Sequence, residues 1–282
     1  MNDTDASRHY NKHMYSGTIL RQRSGRVAGV HQKIDRVARR YMHSLAPKAY
    51  FPTSKEIIHF EGVNGPDGLK KKSPARDEPW HYIDPTDPAD TALYQMIEDH
   101  SFNLTKALKD NNQERAAFEA AWLAHTIVDG LTPAHHFPLE EKLEELRGEG
   151  IETRTTIKEK IVLPGENRRE RVRNNWEFWG AKGVMTTHAL FEWGIATTLA
   201  PMRFHLHKPN PNEVVRARTE GIVPLFKEAM YQVYGLKMYD TFHKKGWNQK
   251  LARQTRDILA PTIVKIVALA WYEAIYKAGE VK

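Results

Sequence analysis

Hydrophobic and polar positions follow the period of an α-helix along much of this chain. The segment that begins near Gly29 places Val30, Ile34, Val37 and Tyr41 on a single stripe. Apolar residues spaced three or four positions apart lie on the same face of a helix. The pattern therefore predicts a helix that buries one face.

Further segments show the same helical period. Asn111 or Asn112 is a natural N-terminal cap for the predicted helix over 112–129. Gly130 and Pro133 would end that helix. Pro261 should kink or split the predicted helix over 249–278. The predicted helices cover residues 91–109, 112–129, 183–199, 212–237 and 249–278.

Three segments depart from this pattern. Residues 1–27 are polar, basic and glycine-containing, which predicts a flexible arm. Residues 44–90 are rich in Pro, Gly and charge, and predict a long ordered loop with little regular structure. Residues 139–175 predict a charged surface insertion, helical over LEEKLEELRGEG, with a short hairpin around the Pro-Gly pair at 164–165. The fold class is predicted to be all-α, with one domain over 28–282.

The composition fits a globular chain with a modest positive charge. Of the 282 residues, 40% are hydrophobic and 27% are charged, which permits a sizeable core. The net charge of +7 favours anionic partners such as phosphate esters, nucleic acid or an acidic membrane face. A charge of this size also serves solubility alone. Because the chain has no cysteine, any transition metal must be held by His, Asp and Glu.

Signals for membrane insertion or secretion are not evident in the sequence. We find no run of about 18 apolar residues, so no membrane-spanning helix is predicted. The stretch MNDTDASRHYNKHMYSGTILRQRSGR lacks the apolar core of a secretory signal. We therefore expect a cytoplasmic protein, and its oligomeric state is left open.

The stretch AWLAHTIVDGLTPAHHFP concentrates the candidate chemistry. His125 and Asp129 are four residues apart on a predicted helix, so their side chains are neighbours. That helix is otherwise apolar, and burying two ionisable groups in it is costly unless they are paired or bind a metal. His135 follows beyond the Gly-Pro turn, with His136 beside it as a substitute.

A later segment repeats this spacing. His188 and Glu192 are four residues apart on another predicted helix. The simpler interpretation of one such pair is a solvated helix face. The sequence has no His-Glu-x-x-His motif, no Gly-x-Ser-x-Gly motif and no glycine-rich phosphate loop. Metal binding is therefore the chemistry that the motifs favour.

The order of these residues resembles the zinc-dependent phospholipase C family of bacteria and its relatives, the single-strand-specific zinc nucleases. The core motif of both is His-x3-Asp-x5-His followed by a later His-x3-Glu or His-x3-Asp. In this chain it reads His125-TIV-Asp129-GLTPA-His135, followed by His188-ALF-Glu192.

Two upstream elements extend the resemblance. The family has an Asp about fourteen residues before a His, and Asp67 and His81 stand at that separation. The stretch WHYID around His81 is similar to the motif around the family's His. An N-terminal helix supplies one more His, for which His31 is the candidate. The resemblance covers roughly residues 28 to 200.

The resemblance implies a mostly helical enzyme with two to three zinc ions. One zinc would be held by Asp67, His81, His125 and Asp129. A second would be held by His135, His188 and Glu192, and a third would be shared by Asp129 and His31. Asp67 would also orient or deprotonate the attacking water. Ligation by His and carboxylate groups suits zinc.

The chain departs from the family pattern at two places. In the family the third zinc also takes the amino group and carbonyl of an N-terminal Trp, and this chain has no Trp before Trp80. Asp35, His9 or His13 are available to complete that site. The gap between His135 and the later His-x3-Glu pair is 53 residues, and it holds the predicted insertion.

Other polar groups are assigned supporting or solvated roles. His59 and Glu61 are candidates for the second shell of the metal site. His205 and His207 are expected to be exposed to solvent. The basic run at 70–72 either steers an anionic substrate towards the metals or is a solvated loop.

Three functional hypotheses follow. The first is a phospholipase C-like zinc phosphodiesterase, which the His-x3-Glu form of the later motif favours. The second is a single-strand-specific zinc nuclease, which needs aromatic groups near the metals to stack a base; Trp80, Tyr82 and Trp193 are available. The third is a non-catalytic, metal-stabilised binding protein, which the missing N-terminal Trp favours.

Overall fold

The computed structural model describes residues 29–74, 80–202 and 208–280. Over these ranges the chain folds into α-helices and short turns without a β-strand, which confirms the predicted all-α class. The predicted arm, with His9 and His13, and the pair His205 and His207 lie outside the described residues.

The helices are labelled in chain order. They are α1 Val30–Leu45, α2 Ser54–His59, α3 Pro66–Lys72, α4 Ala92–Lys109, α5 Gln113–Leu131, α6 Leu139–Arg147, α7 Lys158–Ile161, α8 Arg168–Trp179, α9 Val184–Leu199, α10 Pro211–Thr219, α11 Ile222–Gly235, α12 Met238–Lys245, α13 Gln249–Gln254 and α14 Ala260–Ala278. Single 3-10 turns cover Gly62–Asn64, Pro133–His136 and Ile151–Thr153.

The centre of the domain is α14, which packs against α1, α4, α5, α10 and α11. Trp271 is completely buried on this helix, and its indole Nε1 donates a 3.0 Å hydrogen bond to the carbonyl oxygen of Ala120 on α5. The helix pair α4 and α5 has nearly the predicted bounds. Asn112 caps α5 by accepting a hydrogen bond from the amide of Arg115 at 3.0 Å.

The continuous helical run Gln249–Ala278 is the one helix of the described residues that is long and apolar enough to cross a membrane, by length and composition only. Most of its apolar part is buried inside the molecule, as in the central helix of a helical domain. One π-helical turn, Thr255–Leu259, precedes the predicted kink site at Pro261. The predicted absence of a spanning segment stays a prediction.

The prediction of an irregular loop over 44–90 is wrong in part, because two short helices lie within it. Thr53 and Glu56 form a reciprocal capping box that starts α2. Pro66 occupies the first turn of α3, where its missing N–H costs nothing. These local signals are confined to a few residues each, and α3 is the element that carries Asp67.

The predicted hairpin at 164–165 is also wrong. The side chain of Asn167 accepts hydrogen bonds from the amides of Arg169 and Glu170, both at 3.0 Å, and this cap starts α8. The insertion has a small apolar core of its own, separate from the main one. Its buried members are Leu139, Leu143, Leu146, Leu163 and Phe178, against which Trp80 and Tyr82 pack.

Close packing fixes the end of α5 that carries the candidate chemistry. A Cβ atom on Gly130 would lie 2.4 Å from Cδ2 of Leu93 and 2.8 Å from Cζ of Phe226, so only glycine fits between α4 and α11 at this position. On the other side, Lys33 of α1 donates hydrogen bonds to the carbonyl oxygens of Leu199 and Ala200 at the end of α9. Both contacts hold the helices of the candidate site in fixed relative positions.

Candidate metal centre

Asp129 is the central group of the candidate site. It lies two residues before the end of α5 and is 4% exposed. Its Oδ1 is 3.3 Å from Nε2 of His31 and 3.9 Å from Nε2 of His135. Its Oδ2 is 3.0 Å from Nδ1 of His81 and 3.2 Å from Nε2 of His125. One carboxylate thus faces imidazole nitrogens from four separate parts of the chain.

A second group of donors adjoins the first through His135. Oε1 of Glu192 is 3.2 Å from Nε2 of His135 and 3.1 Å from Nε2 of His188. Both ligand candidates on α9 therefore point to the same place as the histidine from the 3-10 turn after α5. The ring of Tyr82 stacks on His135 with ring centroids 4.6 Å apart.

Asp67 lies at the rim of the site, at the start of α3. Its Oδ1 is 3.7 Å from Nε2 of His125, and its side chain is 24% exposed, against 1% for His125. The structure thus brings all eight predicted ligands into one region. Two sets have donor atoms that lie within 4.8 Å of one another: His31, His125 and Asp129, and His135, His188 and Glu192. The first set places His31 beside His125, which the family pattern assigns to a different ion.

Hydrogen bonds fix which ring nitrogens of two histidines carry a proton. Nδ1 of His125 is 3.1 Å from Oε2 of Glu61, and Nδ1 of His135 is 3.0 Å from the carbonyl oxygen of His81. Carboxylate and carbonyl oxygens only accept, so both Nδ1 atoms donate. The Nε2 atoms of both rings are therefore the ones directed at the carboxylates of the site and left to bind a metal ion, as in metal-binding histidines held by a second shell.

These separations suit a bound zinc ion. Distances between the facing nitrogen and oxygen atoms run from 3.0 to 3.9 Å. Ligand atoms bound tetrahedrally to zinc at about 2.0–2.1 Å lie about 3.3 Å from one another. Nε2 of His125 is also buried without a hydrogen-bond partner. The donor set and its spacing fit zinc.

The charges in the site are strongly coupled. Burial alone would raise the pKa of Asp129, but the facing charges of His125, His135 and Lys70 hold it well below its usual range. Burial would lower the pKa of His125, but Asp129 and Glu61 outweigh burial and raise it well above its ordinary value. The Asp129 carboxylate therefore stays ionised, which a metal ligand requires.

The flanking groups respond to burial and to their own neighbours. Burial, aided by the charge of Lys70, holds the pKa of His81 well below its ordinary value. Burial also lowers the pKa of His135. For Glu192 burial acts in the opposite direction, but His188 and His135 outweigh it and lower the pKa. The site thus combines ionised carboxylates with neutral His81 and His135, the forms that bind a metal ion, whereas His125 keeps its extra proton beside Asp129 and Glu61 and would release that proton on binding a metal.

Lys70 belongs to the basic run for which the sequence leaves two roles open, substrate steering and a solvated loop. Its Nζ is 3.3 Å from Oδ2 of Asp129, and its side chain is 22% exposed. Burial opposes its charge, but Asp129 and Asp67 outweigh burial and raise its pKa. The three-residue spacing of Asp67 and Lys70 on α3 is the local signal that places both on one side of that helix.

Other candidates lie beside the centre or away from it. Glu61 is buried and supports His125, as proposed for the second shell, whereas the ring of His59 packs on Phe60. His136 donates through Nε2 to the carbonyl oxygen of Gly130 at 2.9 Å, and burial lowers its pKa to about 4. The structure therefore places His135, and not its neighbour, against Asp129.

Asp35 is a buried carboxyl group one helical turn after His31. Both of its side-chain oxygens lack a hydrogen-bond partner. Burial, reinforced by the negative charge of Glu61, raises its pKa well above the ordinary value. A neutral, protonated Asp35 next to Glu61 is the state that this environment favours.

No family model, curated protein or solved structure matches this chain. The zinc ions, the phosphodiesterase activity and the family membership therefore stay predictions that rest on the order of the motif residues and on the geometry above.

The second shell provides a direct test of zinc binding. Replacing Glu61 by Gln removes the charge that orients and polarises His125, and we expect zinc affinity to fall by about 10–100-fold. Competition with a chromogenic chelator would measure this. The matched control is Glu114→Gln, because Glu114 is exposed on α5, and its affinity should equal that of the wild type. Equal affinity for both variants would contradict a supporting role for Glu61.

Proposed function

We propose that this protein is a zinc-dependent phosphodiesterase of the phospholipase C-like kind. The observation that carries the proposal is the Asp129 carboxylate, which faces four histidines and is joined through His135 to the pair on α9. Adjacent donor sets of this kind suit metal ions that act together on one phosphate ester.

Zinc bound by these donors supplies a nucleophilic water at neutral pH and offsets the charge of the phosphoryl group. The protein's own residues have separate tasks. Asp67, half-buried at the rim, orients the water and accepts its proton. Lys70, 3.3 Å from Asp129, places a positive charge beside the same space and binds a phosphoryl oxygen. The bond from phosphorus to the leaving oxygen breaks as the water oxygen bonds to phosphorus, and the leaving oxygen takes up a proton from solvent while Asp67 returns the water's proton to solvent.

Phospholipid is the substrate class that we favour. The later motif ends in Glu192, the form that is typical of the phospholipase branch in the resemblance described above. A single-strand-specific nuclease is the second candidate, and one observation supports it. Trp80 packs on Tyr82 with ring centroids 4.7 Å apart, and Tyr82 stacks on His135, so an aromatic pair stands next to the donors, where a base could stack.

Metal analysis followed by two activity assays tests these alternatives. We expect at least two zinc ions per chain in the purified protein, with release of phosphocholine from phosphatidylcholine and no cleavage of single-stranded DNA. The opposite substrate preference would establish the nuclease. Full zinc content with turnover of neither substrate would support a metal-stabilised binding protein. A folded protein without zinc would overturn both enzyme hypotheses.

A further inference from the structure

An exposed apolar ridge crosses the insertion and the outer face of α9. Large hydrophobic side chains are normally scattered singly on a protein surface, but several are exposed together here. Trp176 is 69% exposed and Val172 is 63% exposed. The ridge consists of Ile161, Val172, Trp176, Trp179, Leu190 and Trp193.

The members of the ridge are neighbours in space. Val172, Trp176 and Trp179 follow one another at helical spacing on the face of α8 opposite its buried residues. The indole Nε1 of Trp179 donates a 2.7 Å hydrogen bond to the carbonyl oxygen of Ile161. These contacts join the exposed residues of α7 and α8 into one surface.

The ridge continues from α8 onto α9. The hydroxyl of Thr186 donates a 2.8 Å hydrogen bond to the carbonyl oxygen of Trp179. Leu190 lies one turn after Thr186 on α9, and Trp193 lies almost one turn further along the same exposed side. This hydrogen bond places the ridge residues of α8 next to the start of α9, the helix that carries His188 and Glu192.

Positive charge outweighs negative charge along this apolar surface. Arg168 and Arg169 are exposed at the start of α8 and lie on the side of the helix that carries Val172 and Trp176. Residues 158–182 contain seven basic and four acidic residues, a net charge of +3. Tryptophan and aliphatic side chains with flanking arginines are the composition of a surface that enters the interface of an anionic bilayer.

The ridge borders the metal centre on two sides. Lys160, next to Ile161, donates hydrogen bonds to the carbonyl oxygens of Lys70 and Ser73, which ties the insertion to the helix of Asp67. Trp193 directly follows Glu192 in the chain. A surface that rests on the ridge therefore lies at the exposed edge of the site.

We propose that this ridge docks the protein onto bilayers that contain anionic phospholipid. The aliphatic members decide between a bilayer and single-stranded nucleic acid. Indole rings and arginines would serve either partner, whereas exposed Ile161, Val172 and Leu190 gain nothing from nucleic acid and lose contact with water in a bilayer. This proposal rests on the proposed function for the identity of the substrate. It adds that the protein would meet its lipid substrate in a bilayer.

Co-sedimentation with vesicles tests docking. Vesicles of phosphatidylcholine mixed with phosphatidylglycerol should bind the wild type. The double variant Val172→Ser/Trp176→Ser should bind them at least about tenfold more weakly. Its matched control is Phe102→Ser/Val215→Ser, because Phe102 and Val215 are 68% and 54% exposed on other helices. Vesicle binding by this control variant should match that of the wild type. Arg168→Gln should weaken binding about fivefold, and added salt should remove this difference.

Three results would overturn the docking proposal. They are equal vesicle binding by the ridge variant and the wild type, a loss of self-association in the ridge variant without any loss of vesicle binding, and a loss of single-stranded DNA binding in place of vesicle binding.

Turnover separates docking from catalysis. The ridge variant should lose hydrolysis of vesicle lipid while it retains hydrolysis of a short-chain, monomeric phosphatidylcholine. Asp129→Asn should keep vesicle binding and lose both activities. Vesicle binding by a wild type that hydrolyses neither lipid would leave docking supported and overturn only the phospholipase proposal.

Discussion

Replacing Asp129 by Asn is expected to remove zinc from the Asp129-centred donors. Phosphodiester turnover should fall by more than about a hundredfold, because loss of a metal ligand should cost more than loss of a group that only supports a ligand. The amide has no charge with which to balance His125 and Lys70, which face it. Because Asp129 is almost fully buried, leaving its partners without it should also lower the free energy of unfolding by about 3 kcal/mol in the metal-free protein.

Zinc content by elemental analysis and unfolding in urea with chelator present would measure both effects. Asp257→Asn is the matched control, because Asp257 is exposed and pairs only with its neighbour Arg256 among the described ion pairs. It should match the wild type in zinc content and stability. If Asp129→Asn retained full zinc content, Asp129 would be an ordinary buried ion-pair partner and the proposed centre would be wrong.

Replacing Glu192 by Gln should have a narrower effect, the loss of one zinc ion per chain. Glu192 contacts His135 and His188, whereas His31, His81 and His125 face Asp129. The donors on α9 should therefore lose their ion while the Asp129-centred donors keep theirs. Turnover should still fall by more than about a hundredfold, because phosphate esters need the metals to act together.

Zinc stoichiometry at increasing chelator concentration would resolve the two classes of ion. Glu228→Gln is a suitable control, since Glu228 is exposed and pairs with Arg216 on another face. Loss of all zinc from Glu192→Gln would mean that the two donor sets form one cooperative cluster. Unchanged zinc content would exclude Glu192 as a ligand.

Elements with a long, regular pattern were predictable from the sequence. The helices α1, α4, α5 and α9 are long enough for the apolar stripe to repeat several times, and their predicted bounds agree closely with the structure. The short helices α2, α3 and α7 span at most two turns, so their periodicity carries little information. The predicted helix over 212–237 is divided because Gly221 adopts a φ of 84° between α10 and α11.

The candidate site shows the same contrast between local and distant information. His125 and Asp129, and likewise His188 and Glu192, are brought together by helical geometry alone, so spacing predicts each pair. The contact between Glu61 and His125 joins residues 64 positions apart, and no local rule specifies it. The contact between Lys70 and Asp129 likewise joins residues 59 positions apart, and helical spacing does not specify it.

The donors of the site come from segments that span His31 to Glu192, so metal loading depends on the assembly of most of the domain. During synthesis the complete site could not form until α9 had left the ribosome. Zinc that binds only the assembled chain would stabilise it by about 4 kcal/mol at a thousandfold excess over the dissociation constant. On the proposed function, loss of zinc would therefore raise the unfolded fraction of the chain.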